Sequence, residues 1–329
     1  MRIKKLILLL ILTIVLFLLC IVFLHLKAGN KESHIITDVP NLHNGDAKFY
    51  DDYILTTLSG NLVIYDQKGN KVKSFSDIRA NWIYCQPENH LIVYANTNKQ
   101  VGVLLLDDNL DILFNKIVME TPNLQIDPTI VKVDETYYMT VTEIDGTVNN
   151  ADPNAENGTY TLHLYKSDNL TDWELAQNII TAQNNIEDVD LFYDNDRFYV
   201  TFEKETVDKG DSSIHVAILD RSLNSSLTTI YQLLDANCDH EPATIVKRRS
   251  GYRLYYSCDK NYHGESYAGA QIFYADYDKN WNPIRIDQEV HTQTTKGILL
   301  YDVEKTKKGE LYLYSQNYST DCNMIIEEQ

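Results

Sequence analysis

Between residues 45 and 329 the chain repeats one pattern six times: short apolar runs rich in β-branched and aromatic residues, grouped in fours and separated by turn residues. The turns before the fourth runs share a signature. They read Tyr65-Asp66-Gln67-Lys68-Gly69, Asp107-Asp108-Asn109-Leu110, Ser167-Asp168-Asn169-Leu170, Asp220-Arg221-Ser222-Leu223 and Asp276-Tyr277-Asp278-Lys279. Asp and Asn at such positions bond to their own backbone and fix a turn. Trp173 and Trp281 follow two of these turns and are read as packing between units. A four-strand unit repeated around a ring is a blade of a β-propeller, in which each blade covers the apolar face of the next. The sixth unit offers only three strands, in the spans 298–303, 310–314 and 324–328. His34–Val39, a short run near the N-terminus, is the expected donor of the fourth. Pairing it with the last unit closes the ring and hides two sheet edges.

Composition agrees with an all-β fold. Tyr is abundant at 23 copies, and 44% of residues are hydrophobic; no long amphipathic helical stretch interrupts the strands. The N-terminus is different. Residues 6–26 are almost wholly apolar, and about 20 such residues span a bilayer as a helix. Arg2, Lys4 and Lys5 precede them, which places residues 1–5 in the cytoplasm. A cleaved signal peptide is the rival reading, but the run is long and no small-x-small site follows it. The expected order is a cytoplasmic tail (1–5), a transmembrane helix (6–26), a stalk with a possible closing strand (27–44) and an extracytoplasmic propeller (45–329). The protein is thus expected in the cell membrane as a single-pass chain.

Charge narrows the partners. The net charge is −18, and residues 1–29 carry four basic and no acidic side chains, which leaves 25 basic against 47 acidic in the rest, a net of −22. An ectodomain of that sign argues against nucleic acid and against lying on an anionic membrane surface. Beyond the apolar run lie Cys85, Cys238, Cys258 and Cys322. An extracytoplasmic location permits disulfides, but free thiols fit equally, and the spacing does not resemble a zinc site.

Residues 121–290 resemble the five-bladed β-propeller glycosidases of glycoside hydrolase family 43 and relatives. The resemblance rests on Ile126-Asp127-Pro128-Thr129-Ile130-Val131 followed by Tyr137-Tyr138, on Ser167-Asp168-Asn169-Leu170-Thr171-Asp172-Trp173, and on His240-Glu241-Pro242-Ala243-Thr244-Ile245. Alignment of Tyr137-Tyr138 with Phe198-Tyr199 sets Asp127 opposite Asp188. The strand count gives six blades where the resemblance implies five.

The first strands of the units begin at Asp46, Asn81, Asp127, Asp188, Glu241 and Gly297. Four of these six are acids facing one channel, where mutual repulsion raises some pKa values. Glycoside hydrolysis needs a protonated carboxyl for the leaving oxygen and a carboxylate on the other face. The resemblance implies Asp127 as base, Asp188 as the group that tunes and orients, and Glu241 as acid, with inversion of configuration. Each has a plainer reading as a turn residue or solvated charge, and the register of Asp188 is open by one residue. Asp46, Trp82, His240 and His263 are the expected substrate contacts, although Trp82 equally suits core packing and His240 a rim. No cofactor is required, no metal ligand set is assigned, and calcium is possible at the channel, with His291 as a neighbour.

Two functions from different classes follow. One is a membrane-anchored glycosidase acting on a cell-surface or extracytoplasmic poly- or oligosaccharide containing arabinose, xylose or fructose. The other is a non-catalytic propeller that binds a glycan or a protein. A phosphorylase would need a basic phosphate site near the acids, for which Lys296 alone is thin support.

Overall fold

In the computed structural model, the described residues are Thr13, 33–36, 46–57, 60–146, 158–183, 185–206, 210–264, 268–294, 297–316 and 323–329. They form six four-stranded antiparallel sheets, the six blades of a propeller. After β1 (Ser33–Ile36), blade one comprises β2 (Ala47–Tyr50), β3 (Tyr53–Thr56), β4 (Asn61–Asp66) and β5 (Lys71–Arg79). Blade two holds β6 (Trp82–Gln86), β7 (Leu91–Asn96), β8 (Gln100–Leu106) and β9 (Ile112–Glu120). Blade three holds β10 (Leu124–Val133), β11 (Thr136–Gly146), β12 (Gly158–Ser167) and β13 (Glu174–Ala182). Blade four holds β14 (Ile186–Asp194), β15 (Arg197–Glu205), β16 (Ser212–Asp220) and β17 (Thr229–Leu234). Blade five holds β18 (Glu241–Arg248), β19 (Gly251–Cys258), β20 (Gln271–Asp278) and β21 (Pro283–Glu289). Blade six holds β22 (Ile298–Lys305), β23 (Glu310–Gln316) and β24 (Asn323–Glu328).

The blade count is six, so the five implied by the family resemblance is corrected. Blades one and two are complete sheets. The sixth is completed from the other end of the chain: β1 pairs antiparallel with β24, from Ser33 opposite Glu327 to Ile36 opposite Met324. The expected donor was His34–Val39; residues 37–39 lie outside the described residues. So do residues 6–26, Thr13 excepted. Among the described residues no helix is long and apolar enough to cross a membrane.

Alternation along each strand gives both blade faces an apolar set, and six hydrophobic clusters result, one per blade interface. Phe49, Ile54 and Val63 of blade one meet Leu313 and Ile326 of blade six, which closes the ring. Tyr50 and Leu55 meet Ile92 and Leu104 on the other side. The series continues through blades two and three, three and four, four and five, and five and six. Among the described residues there is no single core; the fold is held by burial repeated around a circle.

The turn signature performs the expected local task. Asp66 Oδ1 accepts from the N–H groups of Lys68 and Asn70, Asp107 Oδ1 from Asn109 and Asp111, and Asp278 Oδ1 from Asn280 and Asn282. Each turn also places one residue at positive φ: Gly69, Leu110, Leu170, Leu223 and Trp281. A tryptophan at φ 65° is strained. Its indole stacks on Tyr252 with ring centroids 4.4 Å apart, and the packing between blades four and five holds it there.

Candidate active site

First strands line the channel, so their channel-facing backbone has no partner strand beside it. The sequence solves this with carboxylates that reach to the next blade. Asp46 Oδ2 accepts the N–H of Ile83 at 3.2 Å, and Asp127 Oδ2 that of Asp188 at 2.8 Å. Asp190 Oδ2 accepts that of Ile245 at 3.0 Å, and Asp302 Oδ2 that of Phe49 at 2.9 Å. A buried backbone donor left unpaired would cost about as much as a lost hydrogen bond. These acids therefore have a structural task whatever else they do.

Local backbone geometry explains why Asp127 and Asp188 correspond. In β10 the ladder to β11 shifts between Ile126 and Thr129, and in β14 the ladder to β15 shifts between Glu187 and Asp190. Each shift is a bulge, which bends a strand and re-aims a side chain. Asp127 and Asp188 sit at the same position of the two bulges, with φ 45° and 49°. Asp tolerates this left-handed conformation better than most residues. In the fold, then, Asp188 is the residue of β14 equivalent to Asp127 of β10. Blades five and six carry shifts at the matching place, between Pro242 and Thr244 and between Leu300 and Asp302.

The three acids named from the sequence converge. Carboxylate oxygens of Asp188, Glu203 and Glu241 lie within 4.8 Å of one another, and Asp127 joins them through the Asp188 N–H. Asp188 and Glu241 face each other at that range, and their mutual repulsion adds to burial in favouring a protonated form. Burial, with Asp188 next, holds Asp127 well above the usual carboxylate range. Burial, with Glu241 next, does the same to Asp188. Burial and the charges of Glu241, Asp239 and Asp188 push Glu203 up as well. One cation answers part of this field. Burial disfavours the charged Lys48 ammonium, but Asp46, Asp302, Asp188 and Asp190 outweigh that effect and raise its pKa. Lys48 Nζ donates to the Tyr301 carbonyl at 3.0 Å and stands 3.7 Å from Asp46 Oδ1.

Sequence reasoning missed Glu203, Glu205, Asp190, Asp302 and Lys48. A second oxygen cluster, Glu203, Glu205 and Asp239, also falls within 4.8 Å, and all three are buried. The available signal was the alternation Glu203-Lys204-Glu205 at the channel end of β15, two acids on one face of a strand otherwise buried. Both clusters offer hard oxygen donors of the kind that suits calcium. Toward the opposite mouth the channel widens into a cavity of about 490 Å³, whose lining includes Lys48, Tyr84, Lys132, Asp190, Thr244 and Asp302.

The remaining expected contacts distribute unevenly. Asp46 lies at the channel with Lys48. His240 is buried: its Nδ1 faces the Ser212 carbonyl at 2.8 Å, and its ring meets Tyr256 edge-on. His263 is exposed on the face where first strands begin, with Nδ1 2.9 Å from Asp211 Oδ2. Trp82 is half-buried against the clusters of blades two, three and four, the core-packing placement. His291 is exposed beside Glu289, and its carbonyl accepts from Gln329. Cys85, Cys238 and Cys258 are unbridged; Cys322 and Lys296 lie outside the described residues.

No family model matches the chain, and no curated protein matches it in sequence. Solved structures match it in fold. The α-L-arabinanase of Penicillium chrysogenum complexed with arabinobiose has 8% identity and a TM-score of 0.57, covering 91% of this chain and 97% of that one. An α-L-arabinofuranosidase of Fusarium graminearum, in complex with an iminosugar inhibitor, has 6% identity and a TM-score of 0.54 over the same shares. Its family 93 counterpart with arabinobiose gives 8% and 0.53, covering 90% of this chain and 98% of that one. At such identities the likeness concerns fold: the chain is a six-bladed β-propeller of the architecture found in propeller glycosidases.

Proposed function

We propose that the protein is a glycoside hydrolase whose chemistry runs on Asp127, Asp188 and Glu241. The observation that carries this reading is the convergence of carboxyl groups from successive blades at one channel mouth, where burial and mutual repulsion favour a protonated member. A protonated carboxyl beside ionised partners is what protonation of a glycosidic oxygen requires. Glu241 is the acid, Asp127 the base that activates water, and Asp188, whose N–H donates to Asp127 and whose carboxyl lies beside Glu241, orients them. Asp188 and Glu241 are too close to admit a water between them for inversion, so inversion falls to the Asp127 and Glu241 pair. The substrate is a neutral poly- or oligosaccharide, because the acidic rim repels anions. Arabinose-containing glycans stand first, since solved propellers of like fold include, by name, an α-L-arabinanase and an α-L-arabinofuranosidase. In this reading residues 6–26 anchor the propeller outside the membrane, where such glycans lie.

The test is turnover of a panel of arabinose-, xylose- and fructose-containing glycans by the full-length chain. Proton magnetic resonance of the first-formed product reports its anomeric configuration. Glu241→Gln should lower kcat at least about a hundredfold; unchanged activity in that variant would refute the assignment of the acid. A non-catalytic glycan-binding propeller is the second reading. It is favoured by the commitment of Asp127 to a backbone N–H, and it is distinguished by saturable binding of a glycan that is never cleaved.

A further inference from the structure

Beside the carboxylates, three soft or borderline metal donors meet at the start of blade five. Cys238 and His240 lie on the segment leading into β18, and Cys258 ends β19. Their donor atoms fall within 4.8 Å of one another. The three residues are 0%, 1% and 2% exposed. His240 Nδ1 faces the Ser212 carbonyl at 2.8 Å. A carbonyl can only accept, so Nδ1 carries the hydrogen and the lone pair of a neutral ring sits on Nε2. That nitrogen is 3.4 Å from Cys238 Sγ. A tetrahedral zinc ion, with bonds of about 2.3 Å to sulfur and about 2.0 Å to nitrogen, sets its sulfur and nitrogen ligands about 3.5 Å apart. A ligating histidine whose other N–H is held by a backbone carbonyl is also the usual outer support of a metal site.

From this arrangement we infer that Cys238, His240 and Cys258 form a binding site for a thiophilic divalent cation of the zinc class. Two thiolates neutralise the ion. Lys260 Nζ, 3.4 Å from His240 Nε2, keeps its partner Asp287 Oδ1 at 2.8 Å when the metal takes the nitrogen lone pair. A fourth position is left for water. Ser212 bonds to the same segment, its N–H donating to the Cys238 carbonyl at 2.9 Å and its Oγ accepting from the His240 N–H at 2.7 Å. The ion therefore ties β16, β19 and the start of β18 together, one residue before Glu241. The inference stands apart from the hydrolase reading, because it concerns metal binding alone.

The test is titration of the full-length chain, reduced and stripped by a chelator under anaerobic conditions, with cobalt(II). The expected result is one equivalent bound, with a thiolate-to-cobalt charge-transfer band in the near ultraviolet and intense visible bands of a tetrahedral ion, all displaced by zinc(II). Cys258→Ser and Cys238→Ser should each lose the charge-transfer band or reduce it by about half, with the β-sheet circular dichroism checked alongside. The reduced wild-type titration decides the matter even where a variant fails to fold. A wild-type chain that shows only weak octahedral cobalt bands overturns the inference. So does a chain isolated with a Cys238–Cys258 disulfide that binds no cobalt after reduction, and so does a band that persists unchanged in both variants.

Discussion

Asp127 Oδ2 accepts the backbone N–H of Asp188 at 2.8 Å, across the interface between blades three and four. One carboxylate thus serves as both a clasp between blades and a member of the acidic site. Its two tasks are separable by substitution. Asp127→Asn keeps an oxygen acceptor and removes a charge from a crowded cluster, whereas Asp127→Ala leaves the N–H unpaired. The alanine variant should be less stable than the asparagine variant by about 1–3 kcal/mol, while both lose turnover. Urea unfolding of the two variants checks this; equal midpoints would remove the clasp.

The pH dependence of stability should run opposite to that of an ordinary acidic protein above pH 4. Burial lifts Asp302 from 3.8 to about 6 and Glu304 from 4.5 to about 7. A carboxyl raised on folding binds more protons in the native state, so its stabilising effect is full below its unfolded pKa and is lost as pH climbs through the folded one. The exposed turn acids act in reverse. Backbone hydrogen bonds lower Asp107, and side-chain hydrogen bonds lead in lowering Asp66 and Asp278, so these help above about pH 4 and fail below it. Stability should peak near pH 5 and fall by pH 8. A urea midpoint that is flat or rising from pH 5 to pH 8 would contradict the account.

Lys48 compensates several of these acids at once, so Lys48→Met should be costly. Breaking a buried ion pair from one side costs about 3–5 kcal/mol. The loss should be greater at pH 8 than at pH 5, because protonated carboxyls no longer need the ammonium. Thermal unfolding at both values measures the difference, and an equal loss at the two would show that Lys48 acts through packing alone.

Ring closure predicts a sharp boundary for truncation. Removal of residues 1–32 leaves β1 and its four pairs with β24 intact, so the propeller should keep its unfolding midpoint. Removal of 1–36 strips β24 of its outer partner and exposes an edge strand. That form should unfold at lower urea and scatter light on warming. Identical behaviour of the two truncations would mean that β1 contributes nothing to closure.

Much of this architecture could be read along the chain. Period-two alternation and the Asp-Asn turns are local, so the six units, their strand order and the turn bonds of Asp66, Asp107 and Asp278 followed directly. So did the shortage of one strand in the last unit. Asp127, Asp188 and Glu241 emerged because they begin successive units, and position in a repeat translates into position around a ring.

Tertiary structure decided what spacing could not. Glu203 and Glu205 lie on a second strand, where nothing in the repeat marks Glu203 as a neighbour of Glu241 or Glu205 as a neighbour of Asp239. Cys238, His240 and Cys258 meet because the segment before β18 folds back on the end of β19, a contact absent from any local spacing. Trp82 came to lie half-buried against the clusters of blades two, three and four, a contact that its place at a strand start does not announce. Sequence alone determined the repeat and its signs of charge. Only the closed ring determined which charges share a space too small for them all to ionise, because desolvation and mutual repulsion arise from the whole assembly of blades.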